Sequence, residues 1–131
     1  MGRGPGTLED LVMVDPSFWT GRRVLLTGHT GFKGSWLSLW LSQLGAEVCG
    51  VALKPDTSPA LFDQLGLAQQ LLGHHLIDIG DATAMCSLVA EFQPQVVLHL
   101  AAQPLVRRSY QDPLRTWETN VQGSLKLLEA L

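Results

Sequence analysis

Gly28, Gly31 and Gly34 recur every three residues between an apolar run, Val24-Leu25-Leu26, and a helix-favouring stretch that begins at Phe32. Glycines so placed let a chain turn tightly and let its backbone approach a pyrophosphate with no Cβ in between. A helix starting directly after the turn presents unpaired N–H groups and its positive dipole end to the anion. A glycine triplet alone is a weak sign. It gains weight from a strand before it, a helix after it and a strand–helix rhythm beyond.

Other candidate residues follow later apolar runs. An acidic residue about 20 positions past the glycines would bind an adenosine ribose. Asp56 would do so and favour NAD, whereas Lys54 would accept the 2′-phosphate of NADP; a solvated loop is the competing role for each. Asp78 could cap a turn or accept the exocyclic amine of adenine, and the second is preferred. Arg107 and Arg108 follow the fourth apolar run, and arginine suits a diphosphate, although a solvated face would hold them equally well. His29 lies in the glycine loop and could face phosphate, and Lys33 is either solvated or leans toward it. His99, inside Val96–Leu100, reads as a satisfied core histidine, while His74 and His75 read as surface residues. The four histidines show no metal-ligand spacing, so no metal site is expected.

Alternating elements must position these groups. Arg22–Thr27, Glu47–Leu53, Leu76–Ile79 and Val96–Leu100 read as strands, two of them continuously apolar, as in a parallel sheet covered on both faces. Helices are predicted over Phe32–Leu44, Ala60–Gln70, Ala82–Phe92 and from Pro113 onward, with a loop over Ala101–Asp112. Phe32, Trp36, Trp40 and Leu44, with Leu37 and Leu41 beside them, form a stripe predicted to face the sheet. Asp81 or Thr83 is the expected cap of the third helix. The order β-α-β-(α)-β-α-β-α implies an α/β fold, a Rossmann-type doubly wound parallel sheet truncated after about four strands. Ligands of such sheets bind beyond the carboxyl ends of the strands, where the strand order reverses.

The 131 residues suffice for one modest domain; 46% are hydrophobic and 16% charged, so a true core is expected. The net charge of −3, with no cationic cluster larger than Arg22-Arg23 or Arg107-Arg108, argues against a nucleic-acid partner. No apolar run reaches the ~18 residues of a membrane span, and no secretory h-region opens the chain, so a cytoplasmic location is expected. Cys49 and Cys86 are expected to be buried free thiols rather than disulfide or zinc partners. Residues 1–16 are expected to form a flexible extension, disordered over Met1–Gly6, with a short helical turn within Leu8–Val14 and an alternative start at Met13. Residues 17–131 are expected to form a partial NAD-binding domain.

Three segments resemble a known family. Phe18-Trp19-Thr20-Gly21-Arg22-Arg23-Val24 leads into Thr27-Gly28-His29-Thr30-Gly31-Phe32-Lys33-Gly34-Ser35-Trp36-Leu37, then come His99 to Tyr110 and Thr119-Asn120-Val121-Gln122-Gly123. Together they resemble the start of CDP-glucose 4,6-dehydratases, within the extended short-chain dehydrogenase/reductase superfamily. The resemblance implies that Gly28, Thr30, Gly31, Phe32 and Gly34 hold the pyrophosphate of NAD, with NADP still open, and that Asp78 and Ile79 flank adenine. It places Ala101, Ala102 and Gln103 on the nicotinamide side, Thr119 near the ribose, and Asn120 as a support of the active site. Arg107, Arg108 and Ser109, with Tyr110, would lie toward a sugar nucleotide. Ala52 and Lys54 stand where relatives carry acidic residues. The resemblance further implies a lyase supplying deoxysugars for surface polysaccharide such as O-antigen, homodimeric when complete. The family's Tyr-x-x-x-Lys is absent from these 131 residues, whose only tyrosine is Tyr110; this chain alone is therefore expected to be inactive. An epimerase or dehydratase of another specificity, or a non-catalytic dinucleotide-binding module, are the alternatives.

Overall fold

The computed structural model describes residues 14–131. Four parallel strands, β1 (Arg23–Thr27), β2 (Glu47–Ala52), β3 (Gly73–Leu76) and β4 (Val96–His99), lie in the order β3-β2-β1-β4. The chain therefore steps outward from β1 to β3, then returns across the sheet to place β4 on the other side of β1. Strand order reverses between β1 and β4, where Thr27 is level with His99.

β1 separates two cores by simple alternation. Leu25 points to one face, with Cys49, Val51, Ile79, Met85, Leu88, Val89 and Leu127. Val24 and Leu26 point to the other, with Leu41, Val48, Phe62, Leu67 and Leu71. The first face is covered by α5 (Ala82–Phe92) and α8 (Ser124–Ala130). The second is covered by α2 (Phe32–Gln43) and two single turns, α3 (Leu61–Gln64) and α4 (Leu67–Gln70). Burial on both faces explains the unbroken apolar reading of β1, whereas β4, at the edge of the sheet, is half-buried over Val96–Leu98. Asp81 caps α5 by accepting from the Ala84 N–H at 3.0 Å. Pro113 opens α7 (Pro113–Trp117) behind an Asp112 cap, and the chain continues through a π-helical segment, Glu118–Gly123, into α8.

Several expectations require correction. The aromatic stripe of α2 does not face the sheet: Phe32 is 71% exposed and Trp36 and Trp40 are each 50% exposed. The buried residues of α2 are Gly34, Ser35, Ser38 and Leu41. Small side chains bring this helix close to β1, and bulky rings cannot fit between. β3 begins at Gly73, earlier than Leu76, because His74 and His75 pair with Gly50 and Val51 of β2. The expected loop over Ala101–Asp112 contains a further helix, α6 (Val106–Gln111), and the helix expected over Ala60–Gln70 is broken at Gly66. Cys49 is buried, but Cys86 is exposed. A one-turn helix, α1 (Pro16–Trp19), starts inside the expected extension; Met1–Gly6 and Met13 lie outside the described residues, as does the Leu8–Val14 turn apart from Val14. Among the described residues no helix is long and apolar enough to cross a membrane.

The facing of α2 has a direct consequence for stability. Leu41→Ala should lower the unfolding free energy by about 2–5 kcal/mol, as buried leucine truncations do. Trp40→Gln should cost less than about 1 kcal/mol. Urea unfolding of the two variants compares them, and the reverse order would refute the assignment of faces.

Candidate functional site

Three stretches of backbone converge where the strand order reverses. Gly28, directly after β1, has φ +78°, and its N–H donates to Val51 O at 2.7 Å. A Cβ at Gly28 would meet Ala101 N at 2.7 Å and Leu100 O at 2.9 Å. A Cβ at Gly34, in the first turn of α2, would collide with the Gly28 carbonyl and with His29 Cα at 2.7 Å. The first and third glycines are thus required by contact between backbones. Gly31 caps α2 without a side-chain hydrogen bond. The N–H groups of its first turn are therefore left for an outside acceptor, and no side chain fills the space that a Cβ would take. Thr30 Oγ1 donates to Leu53 O at 2.8 Å, which ties this turn to the end of β2.

On the β4 side a line of hydrogen bonds leads away from the turn. Thr27 Oγ1 lies 2.6 Å from His99 Nδ1, and it accepts from the Leu100 and Ala101 N–H groups, each at 3.2 Å. His99 Nε2 lies 2.8 Å from Ser124 Oγ, which donates to Asn120 O at 2.7 Å. Because the Ser124 hydroxyl proton is committed to Asn120, His99 must donate from Nε2 and accept from Thr27 at Nδ1. Burial holds the His99 pKa below its ordinary value, which keeps Nδ1 free to accept. His99 is thus satisfied at both ring nitrogens, as expected, but it is an exposed residue at the end of the edge strand rather than the core histidine expected. Asn120 closes the line: its Oδ1 accepts from Gln103 N at 2.7 Å and its Nδ2 donates to Gln103 O at 3.1 Å. Gln103 Oε1 in turn accepts from Leu105 N at 2.8 Å. The Ala101-Ala102-Gln103 segment is thereby held beside the glycine turn, with Thr119 half-buried one residue before Asn120.

Acidic residues at the other strand ends are already paired. Asp78 Oδ1 accepts from Gly80 N at 2.8 Å, and Oδ2 accepts from Arg115 at 2.8 Å. The Gly80 N–H, together with the Arg115 guanidinium, holds the Asp78 carboxyl below the usual carboxylate range, so it is an anion and acceptor at neutral pH. Asp56 lies 3.8 Å from Arg108 in an exposed ion pair of little energetic weight. The structure thus brings together the acidic residue expected at the ribose and one of the cations expected at the sugar nucleotide. Arg107 is exposed on α6, and Ser109 Oγ turns inward to Val106 O at 2.6 Å.

His29 requires the largest correction within the loop. It does not face the phosphate side. It is fully buried beneath the turn, with Nε2 2.7 Å from His74 Nδ1 and its ring edge-on to Phe62. The space it needs is provided by Gly50, where any Cβ would run into the imidazole. His74 is accordingly a half-buried partner rather than a surface residue. Burial, aided by His74 and His75, lowers the His29 pKa to about 4. Sequence reasoning missed Arg115, Ser124, Lys126 and the His29–His74 pair. Only the hydroxyl and carboxamide of Ser124 and Asn120, one helical turn apart, offered a signal. Among the described residues no group of three or more His, Cys, Asp or Glu is placed to hold a metal ion.

The proteins similar to this chain include sugar-nucleotide dehydratases and epimerases. The sequence profile of the GDP-mannose 4,6 dehydratase family matches residues 25–131. A CDP-glucose 4,6-dehydratase of Salmonella typhimurium is 52% identical over 119 residues, covering 91% of this chain and 33% of that protein. A UDP-glucose 4-epimerase of Mycolicibacterium smegmatis is 39% identical over 110 residues, covering 82% of this chain and 34% of that protein. The crystal structure of a UDP-glucose-4-epimerase from Stenotrophomonas maltophila, with bound NAD and formylated UDP-arabinopyranose, superposes with a TM-score of 0.72 at 31% identity, covering 83% of this chain and 33% of that one. The chain spans about a third of the length of the relatives it matches.

The buried His29 makes stability depend on pH. The unfolded chain takes up its proton near 6.5, the folded chain only near 4. Stability is therefore full above about pH 6.5 and is lost as pH falls toward 4, by on the order of 2 kcal/mol. Urea midpoints at pH 7 and pH 4.5 should differ accordingly, and His29→Asn should flatten that dependence; an unchanged slope would refute it.

Proposed function

The chain belongs to the GDP-mannose 4,6 dehydratase family, and on that premise we propose that it is the dinucleotide-binding part of an NAD-dependent sugar-nucleotide 4,6-dehydratase acting on CDP-glucose. The observation that carries the proposal is the cradle at the strand-order reversal, where Gly28 and Gly34 have no room for a Cβ and α2 begins uncapped. A pyrophosphate fits a site of that kind. Residues 17–131 form this partial domain, and residues 1–16 are an extension to it.

Each residue has a role that its position supports. The N–H groups at the start of α2, with Gly28, Thr30, Gly31, Phe32 and Gly34 shaping the turn, hold the pyrophosphate. Asp78 and Ile79 border the adenine, and Asp56 serves the adenosine ribose. Ala101, Ala102 and Gln103, fixed by Asn120, line the nicotinamide side, with Thr119 near its ribose. Arg107, Arg108 and Ser109 on α6 lie toward the sugar nucleotide. When bound, NAD supplies reversible hydride acceptance, which a 4,6-dehydration without net redox change requires. This chain's own residues bind and orient. They include no Tyr-x-x-x-Lys, and Tyr110 is 84% exposed.

The CDP-glucose assignment is supported by the 52% identity with the Salmonella enzyme. NAD is favoured over NADP by the NAD in the epimerase structure. The product would be CDP-4-keto-6-deoxyglucose, a precursor class for deoxysugars of surface polysaccharide such as O-antigen. The same reading places the complete protein in the cytoplasm as a homodimer, without a nucleic-acid partner.

Two measurements test this. The chain alone should bind NAD, seen by equilibrium dialysis, and Gly28→Ala or Gly34→Ala should weaken binding at least about tenfold, since each forces backbones apart; unaltered binding in both variants would sink the cradle. The chain alone should not turn over CDP-glucose. A longer protein that joins it to the family's Tyr-x-x-x-Lys segment should do so in preference to UDP-, GDP- and dTDP-glucose. A preference for another nucleotide would replace CDP-glucose as the substrate.

A further inference from the structure

The three residues after β3 and Ile77, Asp78-Ile79-Gly80, are held from the far helix at each position. Arg115, on α7, donates to Asp78 Oδ2 at 2.8 Å. Ile79 is 4% exposed and lies against Gly123 of the π-helical segment, where a Cβ would meet Ile79 Cδ1 at 2.7 Å. Lys126, on α8, donates to Gly80 O at 2.7 Å. Two cations and one apolar contact thus fix a loop whose own internal bond is Gly80 N to Asp78 Oδ1. A carboxylate can accept about four hydrogen bonds, and two are in use here. We propose that Arg115, assisted by Lys126, is a positioning residue for base recognition: it fixes the Asp78 carboxylate so that its remaining acceptor capacity selects a base bearing an exocyclic amine.

This proposal rests on the NAD reading above and adds to it the residue that makes the adenine end selective. An ionised carboxylate only accepts hydrogen bonds. It favours the amine of adenine and disfavours the carbonyl oxygen that hypoxanthine carries at that place. Released from Arg115, Asp78 would keep its bond to Gly80 but could rotate its second oxygen, and the discrimination would weaken. A cation that merely braced the fold would instead affect every dinucleotide alike.

Equilibrium binding of NAD and of its hypoxanthine analogue to the chain distinguishes these. The unsubstituted chain should prefer NAD, and Arg115→Met should narrow that preference by about fivefold, the scale of one charge-assisted hydrogen bond partly lost. Arg115→Lys should stay closer to the parent than the methionine variant does. Lys126→Met, which leaves the Asp78–Arg115 pair in place, should narrow it by a smaller factor and provides the test if Arg115→Met does not fold, as judged by far-UV circular dichroism. Equal weakening of both dinucleotides in the folded variants, with the ratio unchanged, would overturn the proposal while leaving NAD binding intact. Failure of the unsubstituted chain to bind NAD would overturn the function proposed above, and this inference with it.

Discussion

Everything near the site depends on how closely three backbones meet at Gly28. Its φ of +78° turns the chain out of β1, and its missing Cβ leaves room for Leu100 and Ala101 arriving from β4. Gly34 then lets α2 settle against the Gly28 carbonyl. Because the helix starts so low on the sheet, its inward face can hold only small residues along the first turns, namely Gly34, Ser35 and Ser38, before Leu41 reaches the core. The same constraint drives the aromatic rings of α2 outward. Close approach is also why Ser35 can be fully buried without penalty: its hydroxyl donates to His29 O at 3.1 Å.

A second consequence concerns polar groups. Turning the chain sharply at Gly28 sends His29 into the core beneath the turn, where an imidazole is costly unless bonded. His74 meets part of that need from β3, bonding Nε2 while Nδ1 stays buried without a partner among the described residues, so the turn after β1 is tied across β2 to β3 by one ring-to-ring bond. Gly50 completes the arrangement by leaving space for the ring. The glycine turn is therefore anchored on both flanks, through His29 to β2 and β3 and through Thr27 and His99 to the final helix.

How much of this was legible in the sequence follows from which interactions are local. The strand–helix order, the glycine turn and the Pro113 helix start are set by neighbours a few residues apart, and they were readable. The capping of α5 by Asp81 is of the same kind. The facing of α2 was misread because helical periodicity weighs hydrophobicity, while the contact here selects for small volume. Phe32, Trp36 and Trp40 produced the stronger pattern and lie on the wrong face. The strand boundary at β3 was misread because Gly73-His74-His75 looks polar and turn-like; its extended form comes from pairing with β2, some two dozen residues earlier in the chain. The partners of Asp78 were out of reach for the same reason, since Arg115 lies 37 residues away and no periodicity links the two.

The π-helical segment shows why such long-range partners occur where they do. In an uninterrupted α-helix the N–H of Ser124 would bond the carbonyl of Asn120. Here that N–H turns to Val121 O, and the Ser124 hydroxyl bonds Asn120 O in its place. The hydroxyl can then also accept from His99, which links the helix to the end of β1 through Thr27. The widened turn leaves the Asn120 carboxamide facing Gln103 and places Gly123 against Ile79. One local departure from α geometry therefore serves two strand ends: the segment beyond β4 through Asn120, and the segment beyond β3 through Gly123. A regular helix at this point would lose one of those registers, since advancing the chain by a single residue rotates its side chains by about 100°.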